Sequence, residues 1–280
     1  MDQIALYHRN SFKCSKITTQ NYSTSFSLGI LSLNKKFRDP IYGIYGFVRF
    51  ADEIVDTFHE HNKLELIERF EHDTYAAIKE RISLNPILNS FQKVVNEYGI
   101  DHELIDRFLK SMKMDLNKKD YEQLSYEDYI LGSAEVVGLM CLRVFTEGDN
   151  TYYQALKPQA MRLGAAFQKI NFLRDLKADY FALGRSYFPG FELDKFNEQK
   201  KKQIELDIEQ DFKAGLEGIK QLPRGARFGV YVAYVYYYSL FTKIQSLSAS
   251  TILSERIRIP DFRKYALIIS CYFRHTLNLI

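Results

Sequence analysis

The sequence predicts an all-α chain folded as one domain over residues 1–280. Three observations carry this. Breakers are scarce: 14 glycines and 6 prolines in 280 residues, about 7% against roughly 12% in average usage. Apolar residues recur at helical spacing along most of the chain. No stretch has the composition of a linker, and no repeat or low-complexity segment breaks the pattern. Hydrophobic residues at 46% and charged residues at 26% are ordinary for a globular protein and exclude a disordered or collagen-like chain.

Taken in order, Asp39-Pro40 reads as a helix start with proline at its first position, the helix running over 41–57. Residues 64–82 follow, with Leu64, Ile67, Phe70, Tyr75 and Ile78 near helical spacing. Asn85-Pro86 punctuates, and helices are expected over 87–98 and 102–114. Ser125-Tyr126-Glu127-Asp128 reads as a capping segment that opens an apolar helix to Phe145. Glu147-Gly148-Asp149-Asn150 is a turn, and Lys157-Pro158 starts a long helix to about Tyr180. A loop from Gly184 to Gly190 encloses Tyr187-Phe188-Pro189. Residues 194–204 are charged, a solvated helix or a loop, and 207–222 are amphipathic. Pro223-Arg224-Gly225 breaks the chain before a Tyr-rich helix, and Pro260 opens the last one.

A formal net charge of +3 does not call for a nucleic-acid partner and is compatible with an anionic ligand. The three cysteines, Cys14, Cys141 and Cys271, form no CxxC spacing, which favours a reducing, cytoplasmic setting over a disulfide framework or structural zinc. The first sixteen residues lack a signal peptide's apolar core. The longest apolar stretch, 228–241, is too short for a spanning helix of about 20 residues.

Two constellations carry chemistry. In Arg49-Phe50-Ala51-Asp52-Glu53-Ile54-Val55-Asp56, Asp52 and Asp56 share a helix face, with Arg49 and then Tyr45 one turn earlier each. The alternative is a solvated face with an internal Arg49–Asp52 or Arg49–Glu53 pair. In Gln168-Lys169-Ile170-Asn171-Phe172-Leu173-Arg174-Asp175-Leu176-Lys177-Ala178-Asp179, residues Asn171, Asp175 and Asp179 make one polar stripe. Carboxylate pairs on two helices repel if they face each other, unless divalent cations lie between. Magnesium takes one or two carboxylates and keeps positions for phosphates. Arg49, Arg174 and Arg185 suit phosphate oxygens. The absence of a GxxxxGK[ST] motif argues against a nucleotide P-loop. Phe26, Tyr45, Tyr129, Gly138, Gly164, Ala165 and Tyr236 are candidates to line an apolar cavity for a long-tailed diphosphate; for Gly164 and its alanine neighbours, close helix packing is the other reading.

Five segments together resemble the phytoene/squalene synthase family of head-to-head prenyltransferases. They are Ser23-Thr24-Ser25-Phe26, the stretch from Tyr45 to Asp56, Tyr129 with Ala134 and Val137-Gly138, the stretch from Gln168 to Asp179, and Gly184-Arg185-Ser186-Tyr187-Phe188-Pro189. They span about residues 20–190, and the texture is most similar to bacterial phytoene synthases. The resemblance implies the isoprenoid-synthase fold, a helical bundle around a central cavity that takes two prenyl diphosphates. It implies that Asp52, Asp56, Asp175 and Asp179 hold magnesium, or manganese in its place, with Glu53 and Asn171 assisting. Arg49, Arg174 and Arg185 would clamp phosphate, with Ser23 and Ser25 as donors. Phe26, Gly138, Gly164, Gln168 and Tyr187 would contact substrate. Tyr45, Tyr129 and Tyr236 would shield cations or handle protons. The product expected is phytoene from geranylgeranyl diphosphate, without NADPH. The alternatives are dehydrosqualene or squalene from farnesyl diphosphate, and a non-catalytic assembly-factor relative.

The chain departs from the family pattern at Glu135, where glycine is common, which adds a carboxylate to a helix expected to line the cavity. Thr24 and Glu53 stand where some relatives have Lys and Asp. The C-terminal segment carries Arg256, Arg258, Arg263, Lys264 and Arg274 among apolar residues. It reads as an amphipathic terminal helix, with peripheral contact to an anionic membrane as the sharper alternative.

Overall fold

Helix-forming segments with few breakers give only helices: the computed structural model has no strand among the residues it describes, which are 2–117, 123–183, 187–189, 196–260, 266–267 and 270–272. The order is α1 Gln3–Tyr22, α2 Thr24–Leu31, α3 Lys35–Asp56, α4 Lys63–Glu80, α5 Pro86–Tyr98, α6 His102–Asn117 and α7 Gln123–Ile130. A π-helical turn, Leu131–Glu135, then leads into α8 Val136–Phe145. The long α9 Asn150–Leu183, α10 Glu198–Gln221, α11 Arg224–Gln245 and short α12 Ala249–Ser254 complete it.

Caps move several starts away from the prolines. The Asn34 side chain accepts from Lys36 N at 3.2 Å, so α3 begins five residues before Pro40 and carries the proline inside its second turn. Asp149 accepts from Tyr152 N at 3.0 Å and starts α9 at Asn150, upstream of Pro158. In both cases a side-chain acceptor satisfies an orphan first-turn N–H, and the helix absorbs the one bond that proline removes. Ser125–Asp128 lies inside α7 rather than capping it. Asn197 accepts from Lys200 N at 3.0 Å, and one helix, α10, joins the charged and amphipathic stretches. Pro223 precedes α11 as expected. Residues 261–265, just after Pro260, lie outside the described residues.

Two apolar clusters form the core. One gathers α3 to α6 and α8 around Phe47, whose ring stacks on Phe91 at 3.9 Å. The other gathers α7, α9, α10 and α11 around Phe212, which packs on Phe241 and Tyr234. A cavity of about 680 Å³ separates them, walled by α2, α3, α6 to α11 and the π turn.

Candidate active site

The polar end of this cavity is built by three helices and a C-terminal strap. Apolar spacing on α3 buries Phe47, Ala51 and Ile54 and leaves Tyr45, Arg49, Asp52 and Asp56 on the cavity side. The matching stripe of α9 brings Gln168, Asn171, Arg174 and Asp175 to the opposite wall. α6 adds Asp115, and the segment after α12 adds Arg256. The other end is apolar, lined by Leu33, Ile41, Leu142, Phe145, Leu156 and Leu222. Aromatic faces flank the polar end: Phe26 lies 5.6 Å from Tyr45 and 6.0 Å from Tyr237, and Phe167 stacks on Tyr237 at 4.1 Å. Burial pushes the Tyr45 and Tyr237 phenols up to about 12, so both stay protonated.

Charge is distributed unevenly. Asp175 is well matched, with Arg174 Nε at 3.0 Å from Oδ2 and Arg256 Nε at 2.6 Å from Oδ1. Asp52 is not. Arg49 Nη1 is 3.9 Å from its Oδ2, while the same guanidinium pairs closely with Glu53 and packs on the Tyr22 ring. Burial, then the Asp56 carboxylate, push the Asp52 carboxyl up to about 8, and Asp115 and Glu53 act in the same direction.

The structure brings most of the anticipated residues together: Ser23, Phe26, Tyr45, Arg49, Asp52, Asp56, Tyr129, Gly138, Gly164, Gln168, Asn171, Arg174, Asp175 and Tyr187 all line the cavity. The Ser23 hydroxyl also accepts from Phe26 N at 3.2 Å, capping α2. Four expectations are corrected. Glu53 is turned onto Arg49, where its carboxyl is held below its ordinary value by hydrogen bonding, so the Arg49–Glu53 pair exists alongside the cavity rather than instead of it. Ser25 is on α2 away from the lining. Tyr237, not Tyr236, faces the cavity, its hydroxyl 3.4 Å from Asn171 Oδ1, because the helix turns by about 100° per residue. Glu135 points behind the cavity wall toward Asp211, Lys169 and Arg162. There burial, then Asp211, push its carboxyl up to about 7, and it is not among the residues that line the cavity.

The Asp179 side chain and all of Arg185 lie outside the described residues, as do Arg263, Lys264 and Arg274. Sequence reasoning missed Asp115, a lone carboxylate outside both motifs. It also read Arg256 as part of a basic surface segment. Only the fold brings these residues to the motif aspartates.

Gly138 and Gly164 settle their two readings jointly. Both line the cavity, and both sit at a crossing. A Cβ on Gly164 would stand 2.8 Å from Ala134 O, and one on Gly138 would stand 3.2 Å from Ala160 O. The two glycines let α9 close against the π turn and α8 backbone to backbone.

The donor set suits a hard divalent cation. Asp52, one third exposed at the cavity mouth, and its neighbours bring more carboxylate than cation to this end, an excess that a divalent ion relieves. Among the described residues, no three His, Cys, Asp or Glu side chains converge on one point. Ions here would complete their shells with water or with a ligand's phosphate oxygens, as magnesium ordinarily does.

A helical bundle closed around one deep cavity, with carboxylates on facing helices at one end, defines the isoprenoid-synthase class. A dehydrosqualene synthase crystal structure superposes with a TM-score of 0.80 at 19% identity, over 95% of this chain and 96% of that one. The squalene/phytoene synthase family profile matches residues 19–263, and the chain belongs to that family. Its members join prenyl diphosphates head to head. The chain is 27% identical over 282 residues to 15-cis-phytoene synthase of Synechococcus elongatus, covering 90% of this chain and 89% of that one. It is 24% identical to tomato (Solanum lycopersicum) chloroplastic phytoene synthase 1, over 84% of this chain and 61% of that one. It is 27% identical to 4,4'-diapophytoene synthase of Staphylococcus haemolyticus, over 67% and 65%. The chain thus spans somewhat under two thirds of the length of the latter two relatives. No helix among the described residues is long and apolar enough to cross a membrane.

Proposed function

We propose that this protein is a phytoene synthase, a geranylgeranyltransferase of carotenoid biosynthesis. It condenses two geranylgeranyl diphosphates through a cyclopropyl diphosphate and releases both diphosphates. The observation that carries the C20 reading is the depth of the cavity. Its lining follows α9 from Asp175 to Leu156, nineteen residues or about 28 Å of helix. Taking about 1.2 Å per bond from the extended polypeptide, a geranylgeranyl chain spans roughly 18 Å and a farnesyl chain roughly 13 Å. The longer tail fills the apolar length and leaves room for diphosphate above it.

Asp52, Asp56, Asp175 and Asp179, with Asn171, would hold magnesium, or manganese in its place. The bound ions would neutralise charge on the departing diphosphate. Arg49, Arg174 and Arg256 bind phosphate oxygens from the rim, supplying rigid forks that match phosphate geometry. The walls exclude water that would quench an allylic cation as an alcohol. Phe26, Tyr45, Phe167, Phe172 and Tyr237 present ring faces and edges to the region where the cation forms, and such faces stabilise cations. Its ion pair with Asp175 supports placing Arg256 at this site.

A second reading is dehydrosqualene or squalene synthesis from farnesyl diphosphate, favoured by the equal identity to the diapophytoene synthase. The test is incubation of purified protein and magnesium with either diphosphate, with and without NADPH, products read by mass. A C40 hydrocarbon without NADPH is expected. A C30 product moves the function to the second reading, with the NADPH requirement separating squalene from dehydrosqualene. No product and no diphosphate binding would point to a non-catalytic relative.

A further inference from the structure

This inference rests on the reading that Asp52 and Asp56 hold a divalent cation beside a diphosphate. On α3, Arg49 can reach two carboxylates, Asp52 three residues on and Glu53 four residues on, because both positions neighbour it on the helix surface. The guanidinium takes Glu53. Its Nη2 pairs with Glu53 Oε1, while Nη1 stops 3.9 Å from Asp52 Oδ2. Two features favour that choice. The Glu53 side chain is 14% exposed against 33% for Asp52, so less solvent screens the pair. Tyr22, at the end of α1, lays its ring 4.3 Å from the guanidinium carbon and covers one flat face.

The opposite wall provides the contrast. Arg174 on α9 has Ala178, not a carboxylate, four residues on. It turns onto the adjacent motif residue instead, with Nε 3.0 Å from Asp175 Oδ2, and Arg256 takes Oδ1 of the same carboxylate at 2.6 Å. Each wall therefore sets an arginine beside a motif aspartate, but on α3 a further carboxylate draws it away. Glu53 is not among the residues that line the cavity. An arginine seated on Asp52 would occupy its oxygens and cancel the charge that a cation needs. Arg49 Nε is buried without a hydrogen-bond partner, so the guanidinium keeps donor capacity beyond its pair with Glu53.

We propose that Glu53 is a positioning residue: with Tyr22 it holds Arg49 off Asp52, leaving Asp52 open to a divalent cation and Arg49 at the phosphate rim. Cation and arginine then act side by side, and neither displaces the other.

The test measures cation uptake directly. Wild type, Glu53→Gln, Arg49→Gln and the double variant are dialysed to equilibrium against manganese, and protein-bound metal is read by atomic absorption. Wild type is also dialysed with inorganic diphosphate; if uptake needs it, all four are compared with diphosphate at saturation. Glu53→Gln keeps the side chain's size and removes the charge that holds Arg49. It is expected to raise the half-saturating manganese concentration about tenfold, as Arg49 moves onto Asp52. Adding Arg49→Gln to Glu53→Gln should restore the wild-type value, because the competing cation is then gone. A residue that only supported the fold, or that ligated the metal itself, would give no such restoration.

Wild-type uptake by Glu53→Gln would overturn the proposal. So would a loss that Arg49→Gln leaves in place. If Glu53→Gln does not fold, Tyr22→Leu is read by the same criterion; Tyr22 is 51% exposed, so its replacement spares the core, and unchanged uptake overturns the proposal. Wild type that takes up no manganese, with or without diphosphate, would instead refute the metal reading of these carboxylates, and this inference with it.

Discussion

Gly164→Ala tests whether the cavity wall is held by backbone contact or has slack. An added Cβ would stand 2.8 Å from Ala134 O, 3.1 Å from Ala134 C and 3.2 Å from Glu135 Cα. All three atoms are backbone, so no rotamer change relieves the clash. Overpacking costs about 1–3 kcal/mol, and a backbone-only clash belongs near 3. Alanine in place of glycine inside a helix returns about 1 kcal/mol. The net is a loss of about 2 kcal/mol. Scaled by the usual unfolding entropy over 280 residues, that is a fall in Tm of roughly 3 °C. The π turn that must yield carries Ser133 and Ala134 on the cavity surface, so turnover should fall as well. Calorimetry on the wild type, Gly164→Ala and Gly138→Ala checks the ranking. The second variant meets only Ala160 O, at 3.2 Å, and should lose less. A Gly164→Ala protein as stable as wild type would refute the claim of a tight crossing.

Other outcomes follow from the charges. Burial raises the Glu135 carboxyl from 4.5 to about 7, so the folded state binds the extra proton, and stability falls as pH rises across that window. Glu135→Gln should remove about 1–2 kcal/mol of that fall after allowance for partial exposure, read from denaturant midpoints at pH 4.5 and 7.5; an unchanged slope would contradict the assignment. Asp211 is fully buried, 2.7 Å from Lys169 Nζ and 2.7 Å from Arg162 Nε. Asp211→Ala should cost about 3 kcal/mol in urea unfolding, because Lys169 stays buried with only the half-exposed Asp207 as partner. Arg256→Gln should weaken inorganic diphosphate binding about tenfold by calorimetric titration with magnesium, while leaving Tm nearly unchanged. A wild-type affinity would place Arg256 outside the phosphate site.

Much of the site was legible because its chemistry is written at helical spacing. Asp52 with Asp56, and Asn171 with Asp175, fall on shared faces whichever way their helices pack, and their apolar neighbours determine which way those faces turn. The parts that were not legible depend on tertiary placement. Asp115 has no motif partner in sequence and becomes part of the site only because α6 and α7 meet beside α3. Arg256 looks like one of several C-terminal cations until the strap after α12 brings it to Asp175. Tyr236 and Tyr237 are adjacent in an aromatic run, so periodicity alone left the choice open by a 100° turn. The helices start at Lys35 and Asn150, upstream of the prolines, because capping by Asn34 and Asp149 outweighs the proline signal. Glu135 looked like an intruder in the pocket because a regular helix would aim it inward; the π turn changes the phase and turns it toward Asp211.

The most direct test of the central claim is competition. Equimolar geranylgeranyl and farnesyl diphosphates are offered to limiting protein with magnesium and without NADPH, and C40, C35 and C30 hydrocarbons are quantified together by mass. The cavity depth along α9 predicts C40 phytoene as the dominant product, disappearing when magnesium is chelated. A dominant C30 product, or hydrocarbon formation that persists without a divalent cation, would contradict it.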